Sequence, residues 1–333
     1  MILAAATSLA AEPGIEYGVS GSFGGMMGNV PVYAGGCNFP FDDPISVPAS
    51  SKTFYCGIYN GMTGERIGSL PVKTAYGASA QTPKGLVMAG GSTADAWLLA
   101  ADGTLCDLPP LPDKIDNGYG AAIGNTVYIV GGNINGESSR GLVSLDLDNL
   151  HEGWKLVSVM PGLPRVQPVM AAAGGKLYVW GGFYGGEPKT VHTSGLCYDP
   201  AADTWVELPE PAPGVTLTGG VAVTLDTNRI VCTGGVNRRI FLDAITCQAP
   251  DYLEHPAEWY KFNDKIYIFH PLDYTWHCLD NNPECARAGA TTAVMPDDTI
   301  LLMGGELKPR VRTPYPATIC ADSTDKCKIK QPD

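Results

Sequence analysis

One nine-residue stretch gathers a carboxylate and three cations. Gly305 to Thr313 reads GELKPRVRT and carries Glu306, Lys308, Arg310 and Arg312. In a chain of formal net charge −12 this is a local positive spot. A guanidinium pairs in a fork with a carboxylate, whereas an ammonium acts as a point charge. A neighbouring Glu can act as acid or base once it is removed from water. Such a loop can therefore hold an anion and move a proton on it. On residue types alone it also reads as a solvated ion-pair turn.

The elements that must position this loop are written as a repeat. Short apolar runs end in Gly-Gly six times: VPVYAGG, GLVMAGG, TVYIVGG, KLYVWGG, RIVCTGG and TILLMGG, closing at Gly36, Gly91, Gly132, Gly182, Gly235 and Gly305. The intervals are 55, 41, 50, 53 and 70 residues. A period near 50 marked by Gly-Gly is a kelch signature, one propeller blade per repeat. Turn residues precede each run, such as Gly28-Asn29 and Gly124-Asn125, and small-residue segments precede the turns, so each repeat opens with a β-hairpin. Downstream, GLCYDPAADTWVELPEP shows a third and fourth strand around Asp199-Pro200, with Trp205 opening the fourth. Tyr274 and Trp276 repeat that pattern, and Trp154 and Leu105 hold the Trp place elsewhere. The expected fold is all-β: a six-bladed kelch β-propeller of about 24 strands. Residues 14–333 form that single domain. The last blade completes itself through TPYPATIC and DKCKIK, so the termini meet near the first and last blades. Residues 1–13, Ala-rich and apolar, read as a signal-peptide remnant or a disordered start, and point to a periplasmic or secreted protein with the cytoplasm as the alternative.

Composition narrows the function. An acidic chain lacks the basic stripe that nucleic acid requires. No run reaches the 18 or more apolar residues of a membrane span. None of the ten cysteines forms a CxxC pair, so a zinc site is not expected. Cys56, Cys197 and Cys232 lie in strands as small apolar residues, while Cys278/Cys285 and Cys320/Cys327 are spaced for bridges. His151, His192, His255, His270 and His277 show no metal spacing. Arg165 and Arg287 each begin an axis-lining first strand and are candidates for the channel, or else braces between blades. Tyr17, Tyr76 and Tyr119 precede Gly at matching places and read as packing. The fifth repeat carries an insertion, roughly 243–263, placed either to cover a binding face or to make a surface excursion.

Two motifs carry a resemblance. GELKPRVRT is similar to the G-E-x-K-P-G-x-R loop of the sialic acid mutarotases (N-acetylneuraminate epimerases), and AGGCNFP, from Ala34 to Pro40, resembles that family's A-G-G-C-N-F-P. With AGGCNFP first and GELKP last, the order resembles the family's cyclically permuted branch. The resemblance implies interconversion of the α and β anomers of a sialic acid with no metal or organic cofactor. It implies Glu306 and Arg312 as the catalytic pair and a small acidic sugar as the partner. Asn38 and Phe39 become substrate-binding candidates with Lys308, Arg165 and Arg287. Arg310 stands where the family usually has Gly; a bulky residue there can alter the turn or narrow the pocket. The alternatives on this scaffold are a non-catalytic kelch module, binding protein or carbohydrate, and a copper enzyme resembling galactose oxidase, whose Cys-Tyr and His ligands are missing here.

Overall fold

A computed structural model of the chain describes residues 9–247 and 250–320. Each Gly-Gly run is the second strand of an antiparallel sheet. The first sheet runs Phe23–Met27, Val30–Ala34, Gly57–Asn60 and Arg66–Ser69. The second runs Ala78–Thr82, Gly85–Ala89, Ala96–Leu99 and Leu105–Leu108, and the third Tyr119–Ile123, Thr126–Val130, Gly141–Asp146 and Lys155–Val159. The fourth holds Val166–Ala173, Lys176–Tyr184, Gly195–Asp199 and Thr204–Leu208, and the fifth Gly220–Asp226, Arg229–Gly234, Lys265–His270 and Thr275–Asn281. The sixth holds Thr291–Val294, Ile300–Met303 and Ala317–Ile319. This is a kelch-type β-propeller. The first strands are small because they crowd together. A Cβ on Gly24 would lie 2.2 Å from Thr291 Oγ1, and one on Gly120 would lie 2.4 Å from the Ser79 carbonyl. Apolar side chains fill the space between sheets, for example Val169, Trp180 and Cys197 against Ala222, Cys232 and Phe269.

Backbone hydrogen bonds tie each sheet to the next. Within two residues of the start of each first strand stands a residue with left-handed φ: Gly21, Tyr76, Asn117, Gln167, Gly219 and Gly289. The N–H of each donates to the carbonyl of the previous member, and Gly21 N donates to Gly289 O at 2.8 Å, so these bonds form a closed ring. The Gly-Gly pairs make a second set of ties. Gly36 N donates to Thr74 O, Gly91 N to Ile115 O, Gly132 N to Arg165 O, Gly235 N to Arg287 O and Gly305 N to Val19 O. Both glycines of each pair have positive φ, and a Cβ on the first would meet the next sheet's carbonyl, at 2.4 Å in Gly90, Gly131 and Gly304. Only glycine meets both demands.

The chain ends bear on two expectations. Ala317–Ile319 pairs with Ile300–Met303, so TPYPATIC supplies the third strand of the sixth sheet, while DKCKIK lies outside the described residues. Leu9 bridges to Arg66, and the Glu12 carboxylate accepts from Gly57 N at 2.6 Å. Of residues 1–13, expected as a signal-peptide remnant or a disordered start, Leu9 and Glu12 are held against the first sheet, and residues 1–8 lie outside the described residues. Cys278 and Cys285 are both free thiols, one exposed and one buried, so their suggested bridge is absent. Cys320 is in a disulfide, and Cys327 lies outside the described residues.

Candidate active site

The residue after each Gly-Gly is held against the ring of left-handed residues. Cys37 pairs with Ser20, Asn133 with Asp116, Phe183 with Val166 and Glu306 with Ala288, and each partner directly precedes a ring member. Val236 N donates to Thr218 O at the same place in the fifth sheet. The six residues after Gly-Gly are Cys37, Ser92, Asn133, Phe183, Val236 and Glu306, and only Glu306 is charged. The fold thus brings the Glu306 carboxylate to the mouth of the axis.

Glu306–Lys308 and Val311–Arg312 form a two-stranded hairpin that registers Glu306 opposite Arg312. Glu306 Oε1 lies 2.6 Å from Arg312 Nη2, with the Arg312 side chain 2% exposed and that of Glu306 25% exposed. The other Arg312 nitrogens, Nε and Nη1, are buried without a hydrogen-bond partner. Burial pushes the Glu306 carboxyl above its ordinary value, and the opposing pull of Arg312 and Lys52 does not cancel it. The turn between the strands needs a left-handed residue, and Arg310 supplies it with φ 70°. The turn expected with Gly is therefore kept, and the Arg310 side chain gains other contacts. Its Nη1 donates to Val47 O at 2.6 Å, tying the hairpin to the first-sheet loop.

Phe39 forms the floor. Its ring lies 4.9 Å from the Arg310 guanidinium, 5.6 Å from that of Arg312 and 5.8 Å from Lys52 Nζ. Three cations around one ring, balanced by one carboxylate, leave a positive cup suited to an anion. Lys52 also donates to Tyr76 Oη at 3.2 Å, and the Cys37 thiol donates to the same oxygen at 3.0 Å. Burial, then Cys37 and Glu306, hold the Tyr76 phenol firmly protonated. Tyr76 therefore belongs to the site, as a ring member, and not only to the packing. Tyr17 sits in the short helix Ile15–Tyr17 and Tyr119 inside a first strand, so the three tyrosines are not equivalent.

Four expected substrate contacts are otherwise engaged. Asn38 is buried, with Nδ2 donating to Gly14 O at 2.7 Å and Gly18 O at 2.8 Å while Oδ1 accepts from Tyr55. It positions Phe39 and has no group left for a ligand. Arg165 Nη1 donates to Gly181 O and Ser194 O, and Arg287 Nη1 donates to Gly304 O and Tyr315 O. Each guanidinium turns along its own sheet to the first glycine carbonyl of the Gly-Gly pair. Thr74 Oγ1 makes the same contact with Gly90 O in the second sheet. Lys308 Nζ donates to Leu253 O at 3.3 Å and His255 O at 2.7 Å. It thereby fastens the fifth-repeat insertion beside the hairpin. A helix, Arg238–Cys247, leads into that insertion, which holds the short helix Ala257–Tyr260, with His255 stacked on Trp259 at 3.8 Å. Burial chiefly, then Tyr260 and Glu306, pushes the Tyr252 phenol up to about 12, which sets Tyr252 within electrostatic range of Glu306. Sequence reasoning missed Lys52, yet it directly precedes Thr53–Phe54, the strand paired with the Cys37–Asn38 motif.

The family model described as N-acetylneuraminate epimerase matches residues 108–327, which include the Glu306–Arg312 hairpin. The N-acetylneuraminate epimerase of Salmonella arizonae is 32% identical over 232 residues, 65% of this chain and 58% of the relative. That of Brucella melitensis biotype 1 is 30% identical over 246 residues, 68% of this chain and 62% of the relative. The match thus spans under two thirds of these curated relatives. The solved structure of YjhT superposes with TM-score 0.55 at 28% identity, covering 66% of this chain and 69% of that one. With more than half of its length matched by the family model, and the charged hairpin within that match, the chain belongs to the N-acetylneuraminate epimerase family.

Proposed function

We propose that the protein is a mutarotase that interconverts the α and β anomers of N-acetylneuraminate, or a related sialic acid, at the mouth of a six-bladed propeller. The observation that carries this reading is Arg312: a buried guanidinium with Nε and Nη1 unpartnered, 2.6 Å from the carboxylate of Glu306. A buried cation with unused N–H groups is costly unless an anion completes its shell. The carboxylate of an acidic sugar does so, and Phe39 gives the ring an apolar floor.

Mutarotation then needs only proton movement. The anomeric hydroxyl gives its proton to the Glu306 carboxylate as its C–O bond becomes a carbonyl. The bond from the anomeric carbon to the ring oxygen breaks, its electron pair stays on that oxygen, and the oxygen takes the proton from the now protonated Glu306 carboxyl. Rotation about the exposed carbonyl carbon and closure on its other face reverse the transfers, so no atom is gained or lost. A carboxyl lifted by burial above its ordinary value gives up and takes back the proton more evenly than a free Glu side chain. Arg312 and Lys52 hold the substrate charge.

The test is proton NMR of freshly dissolved α-N-acetylneuraminate. The anomeric signals should reach equilibrium faster with catalytic amounts of protein than in buffer. Equal rates with and without protein reject the reading in favour of a binding module.

A further inference from the structure

The ring at the mouth is chemically lopsided. On the first, fifth and sixth sheets its members are Gly21, Gly219 and Gly289, and on the second, third and fourth they are Tyr76, Asn117 and Gln167. The φ angles of these six run from 54° to 69°, a conformation glycine adopts freely and other residues only at a steric cost. The glycine half lies beside the charged loops: Gly289 follows the partner of Glu306, and Gly21 follows the partner of Cys37. Strained residues persist where the surroundings require their side chains.

The polar half has a fixed direction. Asp116 Oδ1 accepts from Asn117 Nδ2 at 2.7 Å and from Asn133 Nδ2 at 2.9 Å. Asn117 Oδ1 in turn accepts from Gln167 Nε2 at 3.0 Å. This chain leaves Gln167 Oε1 as its open acceptor. A Cβ on Gly219 would lie 3.5 Å from that oxygen, so it faces bare backbone of the glycine half. Behind the ring an axial cavity of about 480 Å³ is lined mostly by Gly and Ala in and beside the first strands, with larger side chains such as Met26, Gln81, Asn117, Gln167 and Met170, and by no charged side chain. Sites of about 300–1,000 Å³ hold small molecules. The hydroxyls of Ser20 and Ser22, beside this axis, are buried without a partner.

We infer that this axial cavity is the subsite for the uncharged, hydrogen-bond-donating arm of the acidic sugar, its polyol or acetamido end, with Gln167 Oε1 as the first acceptor. The inference rests on the proposed reaction and divides the substrate by charge. The carboxylate goes to Arg312, because Asp116 behind the amide chain repels it, and the neutral arm enters the cavity.

Asn117→Gly and Gln167→Gly test this, since glycine keeps the left-handed backbone and removes only the side chain. Calorimetric binding would compare N-acetylneuraminate with a shortened acidic 2-ketose lacking both the acetamido group and the polyol tail. Loss of one hydrogen bond is expected to weaken the full sugar roughly three- to tenfold in either variant. Affinity for the shortened acid should stay unchanged. An equal loss for both ligands, or no loss for the full sugar, overturns the subsite. If the wild-type protein turns over N-acetylneuraminate but the variants bind as it does, the subsite alone fails. If the wild-type protein neither binds nor turns it over, the proposed reaction fails and the subsite with it.

Discussion

Glu306 and Arg312 lie opposite each other on one hairpin with 2.6 Å between Oε1 and Nη2, the arginine side chain 2% exposed and the glutamate 25% exposed. The difference assigns their work. A sealed cation with two unused N–H groups is a fixed electrostatic element, pre-oriented by Phe39 and Glu306. A part-open carboxyl with a raised pKa is the mobile proton carrier.

Glu306→Gln should therefore slow anomer exchange by about 10² to 10⁴, the usual worth of a general acid–base group, while the sugar still binds. Because burial lifts the carboxyl above 4.5, its protonated form persists to higher pH than in a free Glu side chain. The rate that depends on the carboxylate should thus fall on the acid side at a pH above 4.5, and that limb should vanish in the variant. An NMR rate profile across pH checks both points. A wild-type rate in Glu306→Gln moves the proton chemistry to another residue.

Gly304→Ala tests the closure between the last and first sheets. Gly304 has φ 62°, and a Cβ there would stand 2.4 Å from the Val19 carbonyl. Left-handed alanine alone costs about 1–2 kcal/mol, and the clash adds a similar amount, so a loss of about 3 kcal/mol is expected. Gly174→Ala is the control, with φ 57° and nothing within 4 Å, and should cost about 1 kcal/mol. Urea unfolding of the two variants compares them, and equal losses would leave the inter-sheet contact without a role.

The Gly-Gly pairs were legible because their two demands, positive φ and contact with the next sheet, leave one residue type. Glu306 was legible for a different reason, since it adjoins three cations in the GELKPRVRT loop of an acidic chain and that loop resembles the family motif. Arg165 and Arg287 were placed correctly along the chain but not in direction. Sequence shows that an arginine starts a strand, whereas its rotamer is decided by nearby carbonyls, Gly181 O and Gly304 O, that only the folded sheet brings close. Lys308 was counted with the ligand cations for the same reason, since its partners, Leu253 O and His255 O, lie more than 50 residues away. Lys52 stayed hidden because it belongs to no motif, and Tyr76 because it recurs before Gly like Tyr17 and Tyr119 and so reads as packing. Their nearness to Phe39 and Cys37 comes from the pairing of Cys37–Asn38 with Thr53–Phe54 and from the ring of backbone bonds.

Lys308→Ala should loosen the insertion without disturbing the hairpin. The ammonium holds the Leu253 and His255 carbonyls, and the hairpin ladder itself uses backbone pairs. Faster amide hydrogen exchange is expected between residues 250 and 262, with unchanged protection at Glu306 and Arg312. Because Lys308 lies on the same hairpin as Glu306 and Arg312, KM should rise more than kcat falls. Unchanged exchange across the insertion would mean that its aromatic stack holds it alone.

Glu12 gives a pH dependence of opposite sign to that of Glu306. Its carboxylate accepts from Gly57 N at 2.6 Å, Tyr59 Oη at 3.1 Å and Cys56 N at 3.3 Å. Burial alone would raise its pKa, but these donors outweigh burial and hold it below 4.5. A depressed folded pKa means that the unfolded chain takes up the proton more readily. The stabilisation is therefore fully present above 4.5 and is lost as pH falls through the folded value. Charged hydrogen bonds are worth about 1.5–3 kcal/mol when buried, and about 1 kcal/mol is expected for this part-exposed group. Glu12→Gln should lower the unfolding free energy by that amount at pH ~7, and the difference should shrink toward zero on the acid side of the transition. The same variant reports on the site, because the segment leads directly to Gly14, whose carbonyl, with that of Gly18, fixes Asn38 beneath Phe39. Paired denaturant titrations across the acid range check the sign. A stability gap that widens as pH falls would show that the Glu12 carboxylate is not what holds this segment.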